Sequence, residues 1–175
     1  MKAWIPVLMP VVVALGAAYA AGPKPLEVVP RVDVRRYLGT WYEIATIPQR
    51  FQKGCVGVTA HYSLRKDGAI DVVNVCRKKT LDGKVRSIRG KAWIVDTTTN
   101  AKLKVRFFWP FAGAYWIIEL DPDYRWAVVG HPSRTYYWIL SRTPRMDPAV
   151  YDDLIRRAAA KGYDISRIKR TLQPS

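Results

Sequence analysis

Gly39-Thr40-Trp41-Tyr42-Glu43-Ile44-Ala45 sets an indole, a phenol and a carboxylate on one short run with the character of a β-strand. The glycine at its entry lets the backbone bend sharply, so that Trp41 can close the end of a barrel instead of lying along a flat sheet. The same seven residues also read as an ordinary strand with large core side chains. The remainder of the chain decides between the two.

Downstream, strand signals recur at the spacing of an antiparallel meander. Runs 56–65 and 69–79 flank the turn Lys66-Asp67-Gly68, and Asp82-Gly83 marks the next reversal. Runs 85–96 and 101–109 flank Thr97-Thr98-Thr99-Asn100, Pro110-Phe111-Ala112-Gly113 turns into 114–121, and runs 124–131 and 136–142 complete the set. With the opening run this makes about eight strands, a number whose closure leaves room for side chains or for one small ligand. Ala60, Tyr62 and Leu64 alternate with Thr59, His61 and Ser63, and Leu103, Val105 and Phe107 alternate with Lys102, Lys104 and Arg106. One face of the sheet is therefore apolar and the other basic; in a barrel the apolar face turns inward.

The flanking elements follow from capping residues. Asp33 caps a short helical turn over 34–38. Asp147 and Gly162 bracket a helix predicted over 148–161, with Val150, Leu154, Ala158, Tyr151 and Ile155 as its apolar stripe. Such a stripe docks against the outside of a barrel or lies on a membrane surface. Residues 168–172 suit a last edge strand. The polar loop 48–54 carries Phe51, which flanks a cavity mouth or tucks onto the surface.

A chain of 175 residues with 49% hydrophobic content supports one domain with a sizeable core. Twenty-nine Lys and Arg against 14 Asp and Glu give +15, a charge drawn to phosphate-bearing surfaces such as nucleic acid or anionic lipid. The basic residues are spread along the chain without one dense run, so a nucleic-acid partner is not expected and an anionic membrane surface stays open. Met1-Lys2, the apolar run 3–20 and Ala18-Tyr19-Ala20 read as a signal peptide, residues 1–20, cleaved after Ala20, with a retained span as the alternative. The Pro-rich stretch 21–32 then forms an extended arm and 33–175 the barrel domain. No cysteine adjoins the cleavage site, so lipid attachment there is not expected, and the mature chain is expected to be soluble, in the periplasm or secreted. Two thiols in a small exported domain are more often bridged than free, which pairs Cys55 with Cys76. Around the turn at 66–68 these two residues fall on opposite alternation phases; bridging them requires a β-bulge, which Gly54 or Gly57 can supply.

Gly39-x-Trp41-Tyr42 behind an export signal, the strand count and the late helix together resemble the lipocalin family, and within it the bacterial lipocalins, relatives of apolipoprotein D. The likeness runs from residue 33 to 172. Trp41 matches the tryptophan of the first family motif, and Asp123-Tyr124 matches the second, with Pro122 where the family usually has threonine. Arg142, in Leu140-Ser141-Arg142-Thr143-Pro144, matches the third. Val58-Thr59-Ala60-x-Tyr62-Ser63, Lys104-Val105-x-Phe107-Phe108-x-Pro110-Phe111, Tyr115-Trp116-Ile117 and Tyr137-Trp138-Ile139-Leu140 are similar to bacterial-lipocalin segments. The resemblance implies an eight-stranded antiparallel up-and-down β-barrel with one C-terminal helix packed outside. Trp41 would plug the closed end, with Arg142 across it in a cation–π pair worth about 1–2 kcal/mol when desolvated. It also implies binding, and transport or storage, of a hydrophobic ligand such as a fatty acid or lysophospholipid. The bacterial group usually carries a lipoprotein cysteine that this chain lacks.

Ala60, Tyr62, Trp93, Phe107, Tyr115 and Trp138 are the candidate cavity lining, since small residues leave volume and aromatics supply apolar area. Glu43 shares the phase of Trp41 and is a candidate polar anchor for a ligand or a member of a structural charge pair; Asn74 shares that of Val72 and Ile70 and is a candidate amide for a ligand head group or a solvent-facing residue. No nucleophile elbow, phosphate loop or paired-histidine metal motif is present, and neither catalysis nor a cofactor is expected. His61 and His131 leave a single haem-ligating histidine open. Two other classes compete: an enzyme of the same barrel shape working through Glu43, Glu119 and a tyrosine, and a basic adaptor that binds by its exterior.

Overall fold

The protein is described by a computed structural model covering residues 24–174; the signal-peptide reading at 1–20 and the first part of the arm lie outside the described residues. After the helical turn α1 (Val34–Tyr37) come β1 (Gly39–Thr46), β2 (Cys55–Leu64), β3 (Ile70–Lys78), β4 (Val85–Ile94), β5 (Lys102–Phe108), β6 (Phe111–Leu120), β7 (Trp126–Gly130) and β8 (Tyr137–Ser141). Each strand pairs antiparallel with the next, and β1 closes the ring by pairing with both β8 and β2. Helix α2 (Pro148–Ala160) and a two-residue strand, β9 (Lys169–Arg170), follow.

Alternation divides the apolar residues into two cores, as a half-buried strand pattern requires. Inside the barrel Trp41, Tyr62, Val72, Ala92, Leu103, Ile117, Val129 and Leu140 pack together. Outside it Ile44, Ile118, Val128, Tyr137 and Ile139 meet Leu154 and Ala158 of α2. The helix starts where the Asp147 carboxylate accepts from the Ala149 N–H and stops before Gly162, at φ +83°. Its apolar stripe is therefore spent on the barrel wall, which removes the membrane-surface alternative. From the arm, Leu26 enters the outer core and Val32 the inner one, and the N–H groups of Val29 and Val32 bond to the carbonyls of Ile117 and Thr99.

The loops around α1, at 65–69, at 95–101 and at 121–125 gather at one end, which is sealed. Asp33 caps α1 by accepting from the Arg35 and Arg36 N–H groups. The Arg142 guanidinium lies 3.7 Å from the centre of the Trp41 ring. Its nitrogens donate to the carbonyls of Thr40 (2.9 Å), Arg36 (2.7 Å) and Tyr124 (3.3 Å). The Trp41 indole N–H donates to the Tyr37 carbonyl, and the residue is fully buried. Gly39 makes the approach feasible: its φ is +92°, and a Cβ there would come within 3.4 Å of the guanidinium.

Two features of the strands differ from the expectations. The turn between β5 and β6 is shorter than Pro110–Gly113, because Phe108 pairs directly with Phe111 and leaves only Trp109 and Pro110 outside the ladder. The last edge strand has a ladder of only two residues, but the segment does more than cover an edge. Beyond Tyr42 and Thr59, strands β1 and β2 separate, and residues 169–172 enter the gap. There Thr171 N–H donates to the Ile44 carbonyl and Gly57 N–H to the Leu172 carbonyl. The parting of the strands coincides with a β-bulge between Val56 and Thr59, centred on Gly57 at φ +56°. That bulge resets the phase of Cys55, which is bridged to Cys76 with the Cα atoms 5.5 Å apart.

Removing the Arg142 side chain strands three carbonyls and exposes one face of Trp41. Arg142→Ala is therefore expected to cost about 2–4 kcal/mol in urea unfolding, and Arg142→Lys, which keeps charge but loses the planar fork, somewhat less. Equal stability of all three proteins would show that the floor does not depend on this contact.

Candidate functional site

The inner face forms a cup whose contents change with height. At the bottom Tyr37, Tyr62 and Tyr115 converge beside Trp41, whose ring centre is 5.0 Å from that of Tyr37, with hydroxyl distances of 2.8 Å (Tyr37 to Tyr115) and 2.9 Å (Tyr62 to Tyr115). Burial pushes the Tyr62 phenol up to about 12 and raises the other two well above the ordinary phenol value, so all three hold their protons. Three hydroxyls sharing two hydrogen bonds leave one O–H proton without an acceptor inside the trio.

Higher up, Ala60, Asn74, Ile88, Val105, Phe107 and Trp138 share the inward phase yet remain partly exposed, so they border open space within the barrel. Phe107 lies across Gly90, where an added Cβ would approach its ring to 2.7 Å. The aromatic thus occupies room that the missing side chain vacates. Trp138 points its indole N–H at the Gln52 carbonyl oxygen, 3.4 Å away.

Glu43 stands one inward step above Trp41 and is only 4% exposed. Among the described residues no arginine or lysine pairs with it. Its oxygens accept from the Thr171 hydroxyl at 2.6 Å and the Gln52 amide at 2.9 Å. Burial raises its pKa despite these two donors. Gln173 lies between β1 and β2, its amide nitrogen donating to the Glu43 and Val58 carbonyls at 2.8 and 2.9 Å. Those bonds fix the orientation of the amide and leave Gln173 Oε1 buried with no donor; Asn74 Oδ1 is likewise buried and unpartnered. Glu43, Asn74 Oδ1 and, in the adjoining seam, Gln173 Oε1 thus form a belt of acceptors, the last two without a donor among the described residues.

Of the predicted lining, Ala60, Tyr62, Phe107, Tyr115 and Trp138 face the interior, as do Glu43 and Asn74. Trp93 does not. Its neighbours Ala92 and Ile94 occupy the inward phase, which places the indole outside beneath Arg106, whose guanidinium is 5.8 Å from the ring centre. It borders an outer cleft of about 490 Å³ with Asp67, Lys91 and Arg106; a second outer cleft, of about 290 Å³, lies beside α1. Glu119 is also outside, paired with Arg157 of α2 and with Lys161, which caps that helix, at 3.4 and 3.1 Å, so it forms no catalytic set with Glu43. His61 bonds Thr40, and His131 bonds Ser133 in an open-end loop. Among the described residues no cluster of three or more His, Cys, Asp or Glu is arranged for a metal ion.

At the second motif Tyr124 acts as a strut: its hydroxyl accepts from the Asp33 N–H and Arg36 stacks 4.2 Å above its ring. The Asp123 carboxylate is largely exposed. The organising group is Asp121, which accepts from the N–H groups of Asp123 and Arg125 and pairs with the Arg125 guanidinium. Arg125 holds the Asp121 carboxyl below its ordinary range.

A closed antiparallel ring with a plugged floor, an open aromatic mouth and a helix on its flank defines the class of cup-shaped β-barrels. The lipocalin-like domain family matches residues 32–173, and the chain belongs to the lipocalins. It is 44% identical over 159 residues to temperature-induced lipocalin-1 of Arabidopsis thaliana, covering 86% of this chain and 84% of that protein. It is 42% identical over 174 residues to the outer membrane lipoprotein Blc of Escherichia coli K12, covering 95% and 98%. Apolipoprotein D of Bos taurus is 37% identical over 144 residues, covering 77% and 74%. Insecticyanin of Manduca sexta shares the fold at a TM-score of 0.68 and 19% identity, covering 87% of this chain and 86% of that one.

Because Glu43 is buried with no cation beside it among the described residues, burial raises its pKa and disfavours its charged form in the folded state. That cost appears as pH rises through the folded pKa and is absent below the ordinary glutamate value. Glu43→Gln keeps the shape and both contacts, since the Thr171 hydroxyl can accept as well as donate. The variant is expected to melt higher at pH 7, by roughly 2–4 °C per kcal/mol recovered. The gain should vanish toward pH 4. A difference that does not vary with pH would exclude the linkage.

Proposed function

We propose that the protein carries a hydrophobic or amphiphilic molecule with one acyl chain, such as a fatty acid or lysophospholipid, in the upper half of the barrel. The carrying observation is the vertical gradient: inward aromatics and Ala60 remain partly exposed above a floor packed solid by Trp41, Tyr37 and Tyr62. Burying an acyl chain there contributes about 0.8 kcal/mol per methylene, and no covalent step is needed. Kinship with an outer membrane lipoprotein and with apolipoprotein D supports the reading. The Cys55–Cys76 bridge suits an oxidising compartment, and we place the carrier in the periplasm or outside the cell.

The acceptor belt selects the polar end of the guest. Ammonium, hydroxyl or amide donors of a guest answer the unpaired oxygen of Asn74, and a guest carboxylate lies away from Glu43, toward the mouth. The free proton of the tyrosine trio offers the complementary donor lower down.

Native mass spectrometry of the protein incubated with extracted lipid should retain one amphiphile per chain. Ala60→Trp, which fills the cup opposite Trp41, should weaken binding of a fluorescent acyl probe by about tenfold or more, ~1.4 kcal/mol, without lowering Tm. Undiminished probe binding in that variant would place the ligand elsewhere.

A further inference from the structure

The two ends of the barrel differ in carboxylate content and in apolar exposure. The open-end connections, residues 47–54, 79–84, 109–110 and 131–136, carry five Lys and Arg (Arg50, Lys53, Lys79, Lys84, Arg134) against one carboxylate, Asp82. The closed end, made of the α1 segment 31–38, the turns 65–69, 95–101 and 121–125, and Arg142, carries seven (Arg31, Arg35, Arg36, Arg65, Lys66, Arg125, Arg142) against five carboxylates (Asp33, Asp67, Asp96, Asp121, Asp123). Large exposed apolar side chains also favour the open end. The tip of the β5–β6 hairpin reads Phe108-Trp109-Pro110-Phe111-Ala112-Gly113, six residues with no charge and all exposed. Phe108 is 66%, Trp109 82% and Phe111 79% accessible. Phe51, at 69%, stands in another open-end loop.

Single exposed apolar residues are ordinary on a soluble protein, but a contiguous aromatic tip marks a contact surface. Neither core claims these three aromatics: the inward residues of the hairpin are Val105, Phe107 and Tyr115, and the cup closes without its tip. The tip projects at the same end as Lys84 and Arg86, which are exposed at the start of the neighbouring strand β4. An indole at the centre of an apolar point with cations behind it suits the layered chemistry of a bilayer, acyl chains below and phosphates above.

We propose that the open end docks on an anionic lipid bilayer, with Phe108, Trp109 and Phe111 inserted among the acyl chains and the surrounding Lys and Arg on the phosphates. The docked cup then opens directly onto the lipid phase, so that an amphiphile passes between membrane and barrel without crossing bulk water. The contact does not depend on what the cup holds, so vesicle binding and probe binding report separately on this proposal and on the carrier reading.

The test uses vesicles of phosphatidylcholine with and without roughly 30% phosphatidylglycerol. The wild-type protein should co-sediment with the anionic vesicles, and brominated acyl chains should quench part of its tryptophan fluorescence. The triple variant Phe108→Ser, Trp109→Ser, Phe111→Ser should lose about tenfold or more in vesicle partitioning with unchanged Tm and unchanged acyl-probe binding. Trp109→Phe should still bind while the quenching disappears. Three results would overturn the proposal: partitioning unaltered by the triple variant, quenching that persists without Trp109, or a dimer in sedimentation equilibrium that the triple variant dissociates, which would assign the tip to a second copy of the chain.

Discussion

The stack of Arg142 on Trp41 is the contact on which the remainder depends, because it joins the beginning of the barrel to its end. Trp41 stands on β1 and Arg142 directly follows β8, the two strands that must meet for a sheet to become a ring. Closure leaves carbonyls of α1, β1 and the 121–125 turn pointing at one another across the floor, and the guanidinium is the one planar group that answers three of them while covering the indole. A sealed floor then makes the opposite end the entrance. Everything above it, from the tyrosine trio to the partly exposed Phe107 and Trp138, takes its meaning from that asymmetry.

Much of the architecture was legible because it rests on short-range rules. Alternation of two marked the inward residues on β2 and β5, Asp33 and Asp147 announced both helical segments, and the phase conflict between Cys55 and Cys76 called for a bulge that Gly57 provides. Trp93 shows where such reasoning fails. In Lys91-Ala92-Trp93-Ile94 the larger aromatic looks like the core residue, yet small Ala92 faces inward because barrel closure crowds that position and Arg106 covers the indole outside. Thr171, Gln173 and Gln52 were invisible for a different reason. Thr171 and Gln173 reach Glu43 from 128 and 130 residues away, and no local pattern announces such a meeting. Gly90 did leave a signal, a glycine interrupting an alternating strand beside an aromatic one, and the ring of Phe107 fills the space.

The acceptor belt and the basic rim oppose each other electrostatically. A protein of net charge +15 keeps a carboxylate in its cup without a cation, while its lysines and arginines crowd the outside and the entrance. An arginine beside Glu43 would have satisfied it at little structural expense. Two neutral donors hold it instead, and burial raises its pKa, so no ion pair closes off that part of the inner wall.

The separation of β1 and β2 carries a consequence in time as well as in space. The seam is filled by residues 169–173, the last part of the described chain, and they bond to the strand that is synthesised first. Contacts of such sequence separation exact their loop-closure entropy before they return any energy. The part of the β1–β2 seam nearer the open end therefore stays unfilled until residues 169–173 follow all eight barrel strands.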